Sequence, residues 1–171
     1  VKAQTTWPDN NVRLVVPYAP GGTTDFAARQ IAQKLTEQTG KSFFVENKTG
    51  ASGTIGTDLV AKSKPDGTTF QVNDTTYAML PHLFKKLPWD HVNDLVPVTT
   101  LAVTPLVVVV GANAPYKSAK EFIEFARKNP GKANYGSGGM GSSTHLGAEL
   151  LKQSGKLFIT HIPYKGAGDA I

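Results

Sequence analysis

The sequence alternates β-branched runs with glycine-rich turns and amphipathic segments, and this alternation most constrains the fold. Val12–Val16 is an apolar run that ends at Pro17 and the turn Pro20-Gly21-Gly22. A helix is expected next, because the side-chain oxygens of Thr23, Thr24 and Asp25 suit its free N–H groups. Its predicted apolar face, which ends before Gly40, consists of Ala27, Ile31 and Leu35.

The same unit of strand, turn and helix recurs along the chain. Residues 42–45 and 68–72 predict strands, and residues 55–61 predict a helix between them. The most hydrophobic run, residues 106–110, predicts a central strand of a second parallel sheet. Further strands are predicted at residues 133–135 and 157–162, with helices that begin after Ser118 and at Ser143. Strands that alternate with helices predict an α/β fold with parallel sheets.

Residues 81–98 lack clear periodicity and contain three prolines, which predicts a connection between two domains. We expect domain 1 at residues 1–100 and domain 2 at residues 101–171. The second domain is expected to be incomplete, because the sequence stops at Ile171 within a predicted helix. Val1-Lys2-Ala3 has the spacing that precedes a signal-peptidase cut, which would make Gln4 the mature N-terminus of a secreted protein. A remnant of an expression tag or an excised domain explains these three residues equally well.

The net charge of +5 admits anionic partners. Nucleic acid is not expected, because the basic residues are nearly all lysine and their longest run is Lys85-Lys86. The chain has no cysteine, which excludes disulfides and thiolate metal sites. No apolar run is long enough to span a membrane.

Three turns that follow predicted strands share a glycine-rich character. They are Pro20-Gly21-Gly22-Thr23-Thr24-Asp25, the loop from Gly136 to Thr144, and Tyr164-Lys165-Gly166. In open α/β sheets such turns lie at the carboxyl ends of strands, where ligands bind. Glycine lets a ligand approach the backbone, and the helix that follows offers N–H groups at the positive end of its dipole. These turns therefore predict a site for a carboxylate or phosphate.

The second loop resembles two nucleotide-binding motifs, but it lacks a residue that each motif requires. Gly136, Gly138 and Gly141 match G-x-G-x-x-G, but no acidic residue lies at positions 155–165, where a ribose would need one. The loop also approaches a P-loop, but Ser142 stands where the essential lysine belongs. Nucleotide binding is not expected.

Several polar residues near these turns have two interpretations each. Asp25 either complements its helix dipole or pairs with a ligand ammonium. Thr75 and Thr76 either contact the ligand or cap a turn, and His145 is either a ligand contact or structural, whereas His161 is expected to be packed. A hydrolase that uses Ser137 or Ser143 with His145 is the alternative function, although Ser137 lacks the glycine pattern of a nucleophile elbow. A domain that binds a partner without any ligand is a third possibility.

The sequence resembles the periplasmic receptors of tripartite tricarboxylate transporters, the TctC or Bug proteins, along essentially its whole length. The resemblance is carried by Trp7-Pro8, Val16-Pro17-Tyr18-Ala19-Pro20-Gly21-Gly22, Asp25, Ala28-Arg29, Glu46-Asn47-Lys48, Gly50-Ala51, Lys64-Pro65-Asp66-Gly67, Leu87-Pro88-Trp89-Asp90, Asp94, Tyr135-Gly136-Ser137-Gly138, His145-Leu146, Glu149 and His161-Ile162-Pro163-Tyr164-Lys165-Gly166. Trp89 stands where many members have tyrosine.

The resemblance implies a two-domain protein of the Venus-flytrap type that is not an enzyme. It implies that a small carboxylate, such as a dicarboxylate, tricarboxylate, aromatic acid or amino acid, is captured in the periplasm and passed to the membrane subunits of the transporter. No cofactor or metal is expected, and the full-length protein is expected to be a monomer. The predicted ligand residues are Tyr18, Gly21, Gly22, Thr23, Thr24, Asp25, Thr75, Thr76, Ser137, Gly138, Ser142, Ser143, Thr144, His145 and Tyr164. Family members are longer than this chain, and they carry the aspartate that corresponds to Asp25 whether or not their ligand has an amine.

Overall fold

The computed structural model describes residues 7–171, and the segment Val1-Lys2-Ala3 considered above as a cleavage site lies outside them. The chain divides into two compact units. Unit 1 ends at Ala102, and unit 2 comprises Val103–Ile171. Each unit is an alternation of strands and helices.

Unit 1 is built on a three-stranded parallel sheet. The strands are β1 (Val12–Val16), β2 (Phe43–Asn47) and β3 (Thr69–Gln71), in the order β2-β1-β3. The helices are α1 (Thr23–Thr39), α2 (Thr54–Ala61), which follows a 3-10 turn at Ala51–Gly53, and α3 (Thr76–Leu83). The predicted strand, turn and helix units are confirmed here. Because all three strands run the same way, their carboxyl ends share one edge of the sheet.

The core of unit 1 lies between β1, β2 and α1. Val12, Leu14, Ala32 and Phe43 are buried together, and Ile31 is among the partly buried residues that pack against them. Ile31 and Leu35 of the predicted face of α1 pack against this core, but the buried apolar residues of the helix are Ala28 and Ala32 rather than Ala27. Because alanine has a small side chain, the helix can lie close to the sheet at this contact. The larger side chains of the helix then pack on either side of it.

Unit 2 contains two parallel strands and two longer helices. They are α4 (Ala119–Lys128), β4 (Asn134–Ser137), α5 (Ser143–Gly155) and β5 (Thr160–Pro163), followed by a 3-10 turn at Gly168–Ala170. Its core contains Ala126, Ala133, Leu157 and Ile159. The predicted N-cap of α4 is confirmed, because Ser118 Oγ accepts a hydrogen bond from the Glu121 N–H at 3.2 Å.

One prediction about the middle of the chain is wrong, and a second has its first residues misplaced. Residues 106–110 form no strand, and their side chains are between 48 and 74% exposed. A central strand needs a neighbour on each side, and within residues 7–171 the sheet of unit 2 contains only β4 and β5.

The predicted connection over residues 81–98 begins too early, because α3 continues through Pro81 to Leu83. Proline in a helix interior removes one backbone hydrogen bond. Here the burial of Leu80, which is 1% exposed, anchors the same turn and offsets that loss.

The buried position of Leu14 generates a stability prediction. Leu14→Ala is expected to lower the free energy of unfolding by about 2–5 kcal/mol, because truncation leaves a cavity between β1 and α1. Val92→Ala, at an exposed residue of the same unit, serves as the control and is expected to change it by less than about 0.5 kcal/mol. Urea titration followed by circular dichroism measures both, and equal effects of the two changes would contradict the assigned core.

Candidate functional site

The first turn, Pro20-Gly21-Gly22, connects the carboxyl end of β1 to α1. Gly21 has a φ of +82°, which favours glycine, and Gly22 is the N-cap residue of α1. The Gly22 carbonyl accepts the Phe26 N–H at 2.9 Å, but no side chain caps this helix at Gly22. The positive end of a 17-residue helix therefore lacks the usual oxygen from its own N-cap residue. A ligand carboxylate could supply that acceptor.

The carboxylate of Asp25 hydrogen-bonds to the backbone of the turn that precedes its own helix. One carboxylate oxygen accepts the Gly21 N–H at 3.0 Å and Arg29 Nε at 2.9 Å, and the other accepts Asn47 Nδ2 at 2.9 Å. Asp25 is only 3% exposed. Burial acts to raise the pKa of its carboxyl group, but the hydrogen bonds from Arg29, Gly21 and Asn47 outweigh burial and hold the pKa below its usual value. These contacts favour the structural interpretation of Asp25.

Asn47, at the end of β2, joins Asp25 to the strand edge. Its Nδ2 also donates to the Tyr18 carbonyl at 3.0 Å, and its Oδ1 accepts Arg29 Nη2 at 3.1 Å. The structure thus brings the predicted residues Tyr18, Gly21 and Asp25 together through a residue that we did not predict. Its position at the carboxyl end of a parallel strand is the signal that identifies it.

Asp74, which follows β3, accepts two hydrogen bonds at the same end of the sheet. Its Oδ1 accepts the Tyr18 hydroxyl at 2.9 Å and the Thr76 N–H at 2.8 Å. Burial and the Asp74 charge raise the pKa of Tyr18, so the hydroxyl keeps its proton. Asp74 was missed in the sequence, although it follows β3 and precedes a helix, as an aspartate in a turn often does. Of the predicted threonines, Thr75 precedes α3 as its N-cap residue and Thr76 is buried.

The second turn, residues 138–142, connects β4 to α5 in unit 2 and differs from the first in its hydrogen bonding. Its backbone N–H groups are held by the protein itself. Gly138 N–H donates to Thr144 Oγ1 at 2.9 Å, Gly139 N–H to Ser137 Oγ at 3.2 Å, Gly141 N–H to His145 Nδ1 at 3.0 Å, and Ser142 N–H to the Gly139 carbonyl at 3.1 Å. In this conformation, these four amides are engaged and do not face a ligand.

The first residues of α5 are also capped. Ser142 Oγ accepts the His145 N–H at 3.2 Å and lies 3.0 Å from Thr144 Oγ1. Ser143 is the first residue of the helix. Tyr164, which follows β5, donates its N–H to the Ser137 carbonyl at 3.0 Å. Unit 2 thus brings together its predicted ligand residues, but it engages several of their polar groups internally.

Three aromatic rings lie against one another beside the second turn. The centroids of Tyr135 and His161 are 4.9 Å apart, and those of His161 and His145 are 4.0 Å apart. Ser137 Oγ lies 2.6 Å from His161 Nε2, and Ser137 is only 1% exposed. His145 instead uses Nδ1 for Gly141, and its Nε2 lies 3.8 Å from Glu149 Oε1. The structure therefore pairs Ser137 with His161 and not with His145, which was one of the two serine pairings that the hydrolase alternative offered. Packing of His161 is confirmed.

Glu149 completes this group of side chains. It accepts hydrogen bonds from the Tyr135 hydroxyl at 2.5 Å and from Lys152 Nζ at 2.7 Å. These two donors lower the pKa of Glu149, while burial and Glu149 raise the pKa of Tyr135. Burial, followed by the neighbouring His145, lowers the pKa of His161. The raised pKa of Tyr135 and the lowered pKa of His161 keep these two side chains uncharged at neutral pH.

Residues 7–171 contain no group of three or more histidine, aspartate or glutamate side chains placed to hold a metal ion. Within the same residues, every helix is too short or too polar to cross a membrane.

Solved structures define the class of protein to which this fold belongs. The chain superimposes on a periplasmic transporter with a TM-score of 0.88 and 41% identity, covering 96% of this chain and 55% of that one. Rpa4515 of R. palustris, solved with adipate, matches with a TM-score of 0.83 and 35% identity. The match covers 96% of this chain and 55% of Rpa4515. MatC of Rhodopseudomonas palustris, solved with malate, matches with a TM-score of 0.84 and 32% identity. The match covers 96% of this chain and 56% of MatC. The fold is that of a periplasmic solute-binding protein, as predicted.

The sequence comparison narrows this class. The family model of the tripartite tricarboxylate transporter family receptor, TctC, matches residues 27–171. A UPF0065 protein of Bordetella pertussis is 39% identical over 162 residues, which cover 94% of this chain and 50% of that protein. The chain belongs to the tripartite tricarboxylate transporter receptor family, and it spans about half the length of this relative.

The hydrogen bonds of Asp25 generate the second prediction. Asp25→Asn is expected to destabilise the protein by about 1.5–3 kcal/mol, because an amide group then faces one of the three donors. The pKa of Asp25 is lowered in the folded state, so its stabilising effect is present above the unfolded pKa and is lost as pH falls through the folded value. The stability difference from wild type should therefore shrink in acid.

Thermal and urea unfolding between pH 2.5 and 7 measure this difference. Asp9→Asn, at an exposed aspartate of unit 1, is the matched control and is expected to behave as wild type. A neutral effect of Asp25→Asn at pH 7 would show that the three hydrogen bonds do not hold the first turn.

Proposed function

We propose that the protein is a periplasmic receptor that captures a small carboxylate and passes it, without turnover, to the membrane subunits of a tripartite transporter. The observation that carries this proposal is the N-terminus of α1. It follows a glycine turn, has no side-chain cap at Gly22, and is fixed from below by a buried aspartate. An anion is the ligand that such a helix end favours.

The magnitude of the helix effect means that other groups must take part. A helix terminus contributes about 0.3–1 kcal/mol to the binding of an anion, or about 2 kcal/mol when partly buried. A micromolar ligand requires about 8 kcal/mol. The hydroxyl groups of Thr23 and Thr24, in the first turn of α1, are the nearest additional donors in the sequence. The ligand contacts predicted in unit 2 remain a prediction.

Dicarboxylates are the ligand class that we favour. Two structures that resemble this chain contain adipate and malate, and both ligands are dicarboxylates. The net charge of +5 agrees with an anionic ligand, because a positive protein raises the local concentration of anions at low salt. The buried, fully engaged Asp25 argues against an amino acid whose ammonium group would need this carboxylate.

A thermal-shift screen of the full-length protein tests the proposal. The panel contains acetate, malate, succinate, adipate, citrate, glutamate and inorganic phosphate. We expect dicarboxylates to raise the melting temperature in a concentration-dependent way, because a ligand that binds only the folded state stabilises it. Nuclear magnetic resonance of the ligand before and after incubation is expected to show no product. Stabilisation by phosphate alone, or turnover of any compound, would contradict the proposal.

Gly22 allows a sharper test of the α1 terminus. Gly22→Asp places a carboxylate at the N-cap position, where it competes with the ligand for the same N–H groups. We expect the variant to lose at least about tenfold in affinity for the dicarboxylate identified by the screen, while its own stability is unchanged or slightly higher.

Gly22→Ala is the matched control. A Cβ atom at Gly22 would lie 3.7 Å from its nearest neighbour, the Ala19 carbonyl oxygen, and the backbone there is extended, so alanine fits without a cap. This variant is expected to bind as wild type. Isothermal titration calorimetry measures both, and equal affinities of the aspartate and alanine variants would remove α1 from the site.

A further inference from the structure

Side chains from β4, β5 and α5 pack next to the second turn. β4 and β5 pair in parallel, with Tyr135 opposite His161. Ser137 lies two positions after Tyr135, so both side chains and His161 share one face of the two-stranded sheet. His145, on α5, stacks on this face at 4.0 Å from His161. The Ser137 hydroxyl is thus placed between an imidazole and the backbone of the turn.

We propose that His161 is a positioning residue for the second turn: its Nε2–H donates to the Ser137 hydroxyl, which in turn holds both backbone groups of Gly139. Ser137 is then a support of the turn and not a ligand contact. The inference rests on the proposed function only in assigning this turn to ligand capture. The geometry of the support itself does not depend on it.

Counting protons on Ser137 gives the direction of the bond. The hydroxyl has one proton and two lone pairs. It lies 2.6 Å from His161 Nε2, 3.2 Å from the Gly139 nitrogen and 3.2 Å from the Gly139 carbonyl oxygen. Gly139 N–H must donate and the carbonyl must accept, so the hydroxyl proton goes to the carbonyl. The remaining lone pair then accepts from His161. In this arrangement alone, all three contacts are hydrogen bonds at once.

The backbone of Gly139 explains why this support is needed. Gly139 has a φ of +124°, and a Cβ atom there would lie 3.0 Å from the Tyr164 carbonyl oxygen. Such a conformation is open to glycine, which is also the residue with the most conformational freedom to lose. Ser137 closes a ring around both polar groups of Gly139 and restricts that freedom. Ser137 is only 1% exposed, so bulk water has little access to its hydroxyl group.

The groups around His161 agree with an uncharged imidazole. Tyr135 from β4 and His145, Glu149 and Lys152 from α5 face it. Burial and His145 lower the pKa of His161, so it is neutral at pH 7. His145 accepts the Gly141 N–H on Nδ1, which places its own proton on Nε2, towards Glu149.

Imidazole NMR of the full-length protein, labelled with ¹⁵N, tests the direction of the bond. At pH 7 we expect the His161 spectrum to show a protonated Nε2 and a bare Nδ1. A bare Nε2 would overturn the proposal, because Ser137 would then donate to His161 and release the Gly139 carbonyl. This measurement uses the wild-type protein, so it does not depend on whether a variant folds.

Two substitutions separate the hydrogen bond from ring packing. His161→Phe keeps a ring against Tyr135 but removes the donor, and we expect amide exchange at Gly139 to become about tenfold faster, as the loss of one hydrogen bond implies. His161→Gln restores a donor and is expected to return the exchange rate to within about threefold of wild type. Exchange at Gly139 that is unchanged in His161→Phe would overturn the proposal.

Ser137→Ala removes the hydroxyl group that links His161 to Gly139. It is expected to speed exchange at Gly139 but not at Gly141, which His145 holds. Equal acceleration at both glycines would show general loosening and would contradict a specific support.

The pH dependence of stability tests whether His161 is neutral in the folded state. Because the pKa of His161 is lowered in the folded state, the unfolded chain takes up the proton first as the pH falls below about 6.5. Wild type should therefore lose more stability between pH 7.5 and 5 than His161→Gln, which has no titrating group there. Equal losses in the two proteins would contradict a neutral, buried His161.

Adipate serves as the probe of the functional consequence. We expect His161→Phe to bind adipate about tenfold more weakly and His161→Gln to bind nearly as wild type. Adipate affinity that is equal in all three proteins would overturn the role of His161 in ligand capture. If wild type binds no dicarboxylate, the proposed function fails, whereas the imidazole spectrum and the Gly139 exchange still decide the inference.

Discussion

The parallel hydrogen bonding of β1 to both β2 and β3 decides where the polar groups of unit 1 lie. Because the three strands run the same way, residues that follow them meet at one edge. Asn47 ends β2, Asp74 follows β3, and the first turn follows β1. The contacts of Asn47 with Asp25 and of Tyr18 with Asp74 both cross between these strand ends. In an antiparallel sheet the same residues would lie at opposite edges.

The two turns show how similar sequences reach different states. Both follow a parallel strand, contain several glycines and precede a helix. In unit 2, Ser137, Thr144 and His145 provide acceptors for the amides of the turn, and Ser142 caps the helix. In unit 1, the N-cap residue is a glycine, and Asp25 binds the amide of Gly21 but leaves the helix end without its usual cap. The availability of an amide depends on nearby side chains, not on the glycine pattern.

Much of the local structure could be predicted from the sequence. The strand at Val12–Val16, the start of α1 and the N-cap at Ser118 follow from short-range chemistry, and the structure confirms them. The family could also be recognised, because its motifs are ordered along the chain. The strand predicted at residues 106–110 was wrong because hydrophobicity shows that a segment favours burial but does not supply its partner strands.

The missed site residues have a different cause. Asn47 and Asp74 are common polar residues, and their importance arises from partners 22 and 56 positions away in the sequence. The pairing of Ser137 with His161, 24 positions apart, follows from the register of β4 and β5, which the sequence does not specify. Similarly, α3 continues through Pro81, beside the buried Leu80, although proline is disfavoured in a helix interior.

The hydrogen bonds of Asp25 have a consequence for the kinetics of recognition. They order the first turn before any anion arrives, so association need not wait for a loop to fold around its guest. A turn that is ordered in advance loses less conformational entropy when it binds a ligand. In the proposed receptor, a rigid aspartate beneath the turn would favour rapid capture of the anion.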